Sequence, residues 1–499
     1  MNLKKYPYHD LAILIIWVFI ISCNSGNKVK EKEVVANPAE MDKHVAENIK
    51  ALINDAIAKD GKMDDSTRLS FAAEVKDFYN GTEYAPIWTS EEKWKPLGDT
   101  LYHYIDNAAL EGLFPVDYHF KNLNSLKTTL DKDSLKRMDA ALWTKADVLL
   151  TDGFMRIVHD LKVGRLKPDS LSMKKDSTLP EDFYVSKLKN VVDKNAFNST
   201  ITDLQPKYDG YWALKRGIKS FVDSMDRKTY TYVTYPYKKG DVNDSTFFVK
   251  TLSKRLSESG VIAPGNHLPD TSQLKAAIMK MQKQKGLVAD GKLSSAFIRT
   301  INVSDAERFK RIAITLDRYK MLPDKMPPKY IWVNLPGFYL KVFDHDTIAV
   351  ESKIICGKPD TRTPLLTSEI TDMVTYPTWT VPTSIIAKSY LPKLKNNPNY
   401  LARIGLRLLN SKGEPVNAAE VNWSKYSRGI PFKVMQNSGD NNALGVMKFN
   451  FNNKYAVYLH DTNQRYLFKN ASRALSHGCV RVQEWEKLAF YIARNDSVN

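Results

Sequence analysis

Ser476-His477-Gly478-Cys479-Val480-Arg481, with Tyr458-Leu459-His460-Asp461-Thr462 upstream, is the stretch from which the fold of this chain is read. Fifteen residues separate His460 from Ser476. A free thiol is mostly protonated at neutral pH, so a reactive cysteine needs a nearby base or positive charge. His460 supplies that base if the intervening segment doubles back beside Cys479. Gly478 leaves room for a substrate, and the amides around Gly478 and Cys479 are candidate oxyanion donors. These residue types in this order point to cysteine acyl transfer. Two other readings stand beside it. A lone cysteine also serves as a small buried hydrophobe, and a lone histidine as a structural group. His460, His477 and Cys479 are zinc-ligand types too, although structural zinc wants four ligands and the other cysteines form no Cys-x-x-Cys pair.

The order His-x15-Ser-His-Gly-Cys-Val-Arg resembles the signature of the L,D-transpeptidases, the YkuD-type cysteine enzymes of bacterial cell walls. Asn442-Ala443-Leu444-Gly445 and Met447-Lys448-Phe449 are similar to that family as well. Many members carry Asn two residues after the cysteine; Arg481 in that place is similar to the large, multi-domain branch. The resemblance implies that His460 takes the Cys479 proton and that the thiolate attacks the diaminopimelate carbonyl of a peptidoglycan tetrapeptide. D-alanine then leaves, and the side-chain amine of a second stem peptide resolves the thioester into a 3→3 crosslink. Gly478 and Cys479 would hold the oxyanion, and the backbone carbonyl of Asp461 would orient His460. Tyr458 and His477 would shape the pocket, and Arg481 would meet a substrate carboxylate. No metal or organic cofactor is called for. The same site also suits hydrolysis of the thioester, D-amino-acid exchange or attachment of a protein to the wall. An alternative of another class is a lipid-anchored peptidoglycan-binding protein with a degenerate catalytic domain, against which the intact motif argues.

The chain has 499 residues, enough for several cores. A hydrophobic content of 43% with 26% charged residues is ordinary for a soluble globular protein. A net charge of +17 favours anionic partners such as wall polymer or membrane phosphate, or simply a solvated basic surface. Nucleic acid is not expected, since no zinc finger, RNA-binding aromatic motif or Walker loop accompanies the charge.

Residues 1–22 read as a lipoprotein-type signal peptide. Lys4 and Lys5 precede an apolar run from Leu11 to Ile21, too short to span a bilayer comfortably. The run ends in Ile20-Ile21-Ser22-Cys23, which resembles a lipobox with Cys23 as the lipidated residue. A cleaved signal or an uncleaved anchor would equally place the rest on the periplasmic side of the cell envelope. Residues 23–43 are polar and read as a flexible tether. With Cys23 lipidated and Cys479 the nucleophile, Cys356 has no disulfide partner.

The predicted architecture is multi-domain α+β. Residues 44–247 read as a helical scaffold, with Leu135, Met138, Leu142, Leu149, Ile157 and Leu161 at helical spacing in one long segment. Glu111-Gly112-Leu113, Asp117-Tyr118-His119 and His159-Asp160-Leu161 are similar to the scaffold domain of the large L,D-transpeptidases. Tyr230 to Tyr237 reads as strand-like. Residues 248–302 resemble a three-helix peptidoglycan-binding-like domain, with a plain helical spacer as the other reading, and 303–328 hold a connecting helix. At Tyr330 the periodicity changes to two, and a β-rich catalytic domain is expected over 329–494. Between 384 and 436 the alternation fails, which predicts short helices and loops: a cap over the site by resemblance, or an inert excursion.

Overall fold

The computed structural model describes residues 29–167, 179–235, 245–263 and 268–494. Cys23 and its apolar run lie outside them. The chain divides into two compact units, one built from residues 29–163, 179–205 and 209–316, the other from 164–167, 206–208 and 317–494.

The first unit is helical around two cores. Helix α1 (Met41–Ala58) packs Val45, Ile49, Leu52 and Ile53 toward helix α2 (Ala140–Lys162), which is buried along most of its length. α2 starts later than the spacing predicts, because the Asp139 side chain caps Ala141 N–H and ends the preceding turn. Leu135 falls in a separate short helix and is 80% exposed. The tether expected over 23–43 is also overturned for its described part. The amide of Val35 donates to the Met138 carbonyl, that of Ala140 to the Glu33 carbonyl, and Val35 is buried in the core. Burial of Val35 and these two backbone pairs hold the segment against the core.

The smaller core gathers α3 (Ser245–Glu258), α4 (Thr271–Gln284) and α5 (Ser295–Asn302) through Leu252, Leu256, Ile278, Met281, Phe297 and Ile301. Asp270 and Gln273 form a capping box that starts α4. The described part of the tyrosine-rich segment is not a strand. Val233 is held at both its amide and its carbonyl by the Asn302 side chain, which does the work of a partner strand. Helix α6 (Asp305–Lys320) follows.

The second unit carries the β-structure. In chain order its strands are β1 (Lys329–Asn334), β2 (Tyr339–Asp344), β3 (Thr347–Gly357), β4 (Ile370–Thr375), β5 (Trp379–Thr380), β6 (Arg407–Leu409), β7 (Lys433–Gln436), β8 (Met447–Phe451), β9 (Leu459–His460), β10 (Ala474–Ser476) and β11 (Val480–Val482). The main sheet has the order β1-β2-β3-β11-β9-β8-β4, with β10 beside the end of β3. Leu340, Val342, Ile354, Met447, Phe449, Leu459, Val480 and Val482 point to one face, where helix α7 (Trp485–Ala493) adds Leu488. A slip of one residue in any of these strands would exchange that face for the other, so the buried side fixes the register.

The segment expected to be short helices and loops has those between Thr383 and Arg403, and more besides. β5, β7 and β6 form a small antiparallel sheet whose Leu406, Leu408 and Val434 join Val381, Leu391 and Trp423 in a separate core. Strands of two to four residues are too short to leave a periodic signal in sequence, so this layer was invisible there.

Candidate active site

The register of three strands builds the site. β9 runs parallel to β11 with His460 opposite Arg481, and antiparallel to β8 with His460 opposite Lys448. The Val480 amide donates to the Tyr458 carbonyl, which sets Tyr458 beside Cys479 in the same ladder. Since alternate residues of a strand share a face, burial of Met447, Phe449, Leu459, Val480 and Val482 turns Lys448, Tyr458, His460, Cys479 and Arg481 outward together. The Tyr458 and His460 rings meet edge to face at 5.5 Å, and Lys448 Nζ stands 4.3 Å from the Tyr458 ring centroid.

Cys479 sits on a tight turn. Ser476 Oγ donates to the Cys479 carbonyl at 2.6 Å and accepts from the Gly478 amide at 3.1 Å. Gly478 has φ of +131°, a conformation in which a side chain would be strained. The loop after β3 clamps this turn from outside: Thr361 Oγ1 donates to the Ser476 carbonyl at 3.1 Å and Thr363 Oγ1 to the Gly478 carbonyl at 2.7 Å.

His460 is buried, with the carbonyls of Asp461 and Leu444 beside its ring but no hydrogen bond of good geometry at Nδ1. Burial pushes the imidazole pKa down to about 3, and the nearby Arg481 and Lys448 cations push the same way. The carbonyls of Asp461 and Leu444 oppose them. Burial raises the Cys479 thiol above its ordinary value, while the amide and hydroxyl of Tyr458 and the charges of Lys448 and Arg481 favour the thiolate. Cysteine and histidine therefore rest neutral, with a hydrogen-bonded and cationic surrounding ready for the thiolate once it forms. Burial, followed by the charge of Cys479, raises the Tyr458 phenol, so it stays a donor; the Trp379 indole acts against that.

The turn before β8 seats this histidine strand. The Asn442 carboxamide accepts from Leu444 N–H and donates to the carbonyls of Pro377 and Asn437. Gly445, at φ +64°, passes under Asp461, whose buried carboxylate accepts from the Val446 amide and from Arg465 through Nε and Nη2. Such a fork on a buried carboxylate fixes direction as well as charge.

A family model for the L,D-transpeptidase catalytic domain matches residues 328–499. That stretch of the chain belongs to the YkuD family. A scaffold-domain model matches residues 73–218. A curated Haemophilus influenzae protein named "Putative L,D-transpeptidase" is 36% identical over 180 residues. The alignment covers 36% of this chain and 36% of that protein, so the chain spans about a third of the curated relative it matches.

Within the YkuD domain, Tyr458, His460, Cys479 and Arg481 come together on one face, as described above. His477 does not join them. It is exposed, and its Nε2 lies 3.3 Å from Ser389 Oγ of the segment after β5. Desolvation of the covered part of its ring lowers its pKa, Lys358 and Arg481 add to that, and Asp360 opposes it. Gly478 also departs from its expected role, because its amide is taken by Ser476 Oγ and is not free for an oxyanion. The donors that face the thiol are the amide and the hydroxyl of Tyr458. Among the described residues no three His, Cys, Asp or Glu side chains gather as a metal site. No helix among them is long and apolar enough to cross a membrane. Cys356 is buried and its thiol is raised by that burial.

Sequence reasoning missed Lys448, Leu444, Trp379 and the two clamping threonines. Leu444 and Lys448 enter the sequence reading only through the resemblance of Asn442-Ala443-Leu444-Gly445 and Met447-Lys448-Phe449. Nothing local says that Lys448 stands opposite His460, because that is a property of strand pairing.

Proposed function

We propose that this chain is a cell-wall L,D-transpeptidase that forms 3→3 peptidoglycan crosslinks through a thioester on Cys479. The observation that carries the reading is the shared outward face of Tyr458, His460 and Cys479 at the centre of a YkuD sheet. His460, neutral at physiological pH, takes the thiol proton as Sγ attacks the donor carbonyl. The amides of Cys479 and Tyr458 and the Tyr458 hydroxyl stabilise the oxyanion and the departing thiolate, each good donor contributing about 3 kcal/mol. As the intermediate collapses the C–N bond breaks, and His460 returns its proton to the amine of the leaving D-alanine. The side-chain amine of a second stem peptide then displaces Sγ, giving its proton to His460. Arg481 holds a substrate carboxylate nearby.

The segment after β5, which reaches His477 through Ser389, limits water at the thioester in this reading. The helical module over 248–302 serves as a wall-binding element, and the N-terminal segment anchors the chain by lipid at Cys23 on the periplasmic side.

The test is incubation of the purified full-length protein with tetrapeptide-rich muropeptides, read by mass spectrometry. Crosslinked dimer supports the proposal, tripeptide alone points to carboxypeptidation, and unchanged muropeptides would sink an enzymatic role.

A further inference from the structure

Lys448 is the one member of the outward face to which neither the motif nor the proposed steps give a contact with substrate, although its charge favours the thiolate. It stands opposite His460 on β8, as Arg481 does on β11. With strands about 4.8 Å apart, the imidazole lies in the middle of a row whose two ends are cations roughly 10 Å apart at the backbone. Arg481 is committed in part, since Nη1 donates to Gln464 Oε1 at 2.9 Å. The Lys448 ammonium has no ion pair or hydrogen bond among the described residues. Asp372 on β4, the carboxylate whose charge it influences, is bound by Asn450 Nδ2 at 2.6 Å. Its ammonium rests over the Tyr458 ring, whose hydroxyl lies against the thiol.

The chemistry says what an anion at that point would be. His460 delivers its proton to the leaving amine, so the amine nitrogen lies beside the imidazole at bond cleavage. In an amino-acid leaving group the carboxylate carbon is two bonds from that nitrogen, about 2.5 Å away. It must then lie next to the row Lys448–His460–Arg481. A carboxylate one residue further along the peptide falls more than about 3 Å beyond.

We propose that Lys448 binds the free carboxylate of the leaving amino acid and so restricts the donor to peptides that end one residue past the scissile bond. This rests on the transpeptidase reading of the site and makes Lys448 a specificity-determining residue of it.

The test compares the tetrapeptide L-Ala-γ-D-Glu-diaminopimelate-D-Ala with its C-terminal amide as donors for the full-length protein. D-alanine or its amide released is measured as kcat/KM. The wild-type protein is expected to prefer the acid by about tenfold or more, the scale of a charge-assisted hydrogen bond. Lys448→Met should lose some rate on both donors through the thiolate and about that factor more on the acid, which removes the preference, whereas Lys448→Arg should keep it. Equal wild-type rates on acid and amide would overturn the proposal without any variant and leave the transpeptidase reading standing. Equal losses on both donors in Lys448→Met would also overturn it, and would point to support of Tyr458 or the thiol. No release from the acid by the wild-type protein would overturn the reading of the site and this proposal with it.

Discussion

Gly445 passes so close under Asp461 that a Cβ on it would collide with the buried carboxylate. That carboxylate is also gripped by Arg465 and the Val446 amide, so it cannot step aside without losing them. The residue after the proposed base and a turn fifteen residues upstream are thus one structural unit.

Gly445→Ala is expected to destabilise the catalytic unit by more than about 2 kcal/mol, combining the positive φ with the displaced carboxylate. Unfolding by urea, followed by tryptophan fluorescence, measures it. A midpoint like that of the wild-type protein would show that the turn relaxes without cost.

Cys479→Ala and His460→Ala should each reduce crosslinking by about a thousandfold or more, as loss of a nucleophile or its base does. His477→Ala should retain a measurable fraction, because its ring meets Ser389 and not the thiol. Muropeptide product yield ranks the three variants. A dead His477→Ala beside an active His460→Ala would reverse the assignment of the base.

The pH dependence of Cys479 alkylation separates a neutral resting pair from a thiolate–imidazolium pair. The thiol is raised and the imidazole lowered to about 3, so neither ionises between pH 4 and the ordinary thiol range. The iodoacetamide rate should rise in one step, centred at or above the usual thiol pKa of about 8.5. A shoulder of reactivity below pH 6 would show an ion pair. Cys479→Ala serves as the control for Cys356.

Anchoring is tested at Cys23, outside the described residues. Metabolic labelling with a fatty-acid analogue should mark the wild-type chain and leave Cys23→Ala unmarked and released from membranes. Label that persists in the variant would refute the lipobox reading.

Much of this was legible without coordinates. The motif around Cys479 picked out the thiol and the imidazole that the sheet brings to one face, and the switch to twofold alternation at Tyr330 located the sheet, because side-chain periodicity along a strand is a local property. Helices with long apolar stripes, such as Ala140–Lys162, were legible for the same reason, although their ends were not: Asp139 competes for the backbone and starts the helix late.

What the tertiary structure alone decided is the pairing. That Lys448 stands opposite His460 depends on how β8 lies against β9, and no spacing in the chain encodes it. The same holds for the Gly478 amide, which Ser476 takes once the turn closes, and for His477, which meets Ser389 from 88 residues away. Contacts of that kind follow from burying one face of each strand against a common core. They are settled by the whole sheet at once, whereas the identity and order of the candidate groups are written residue by residue.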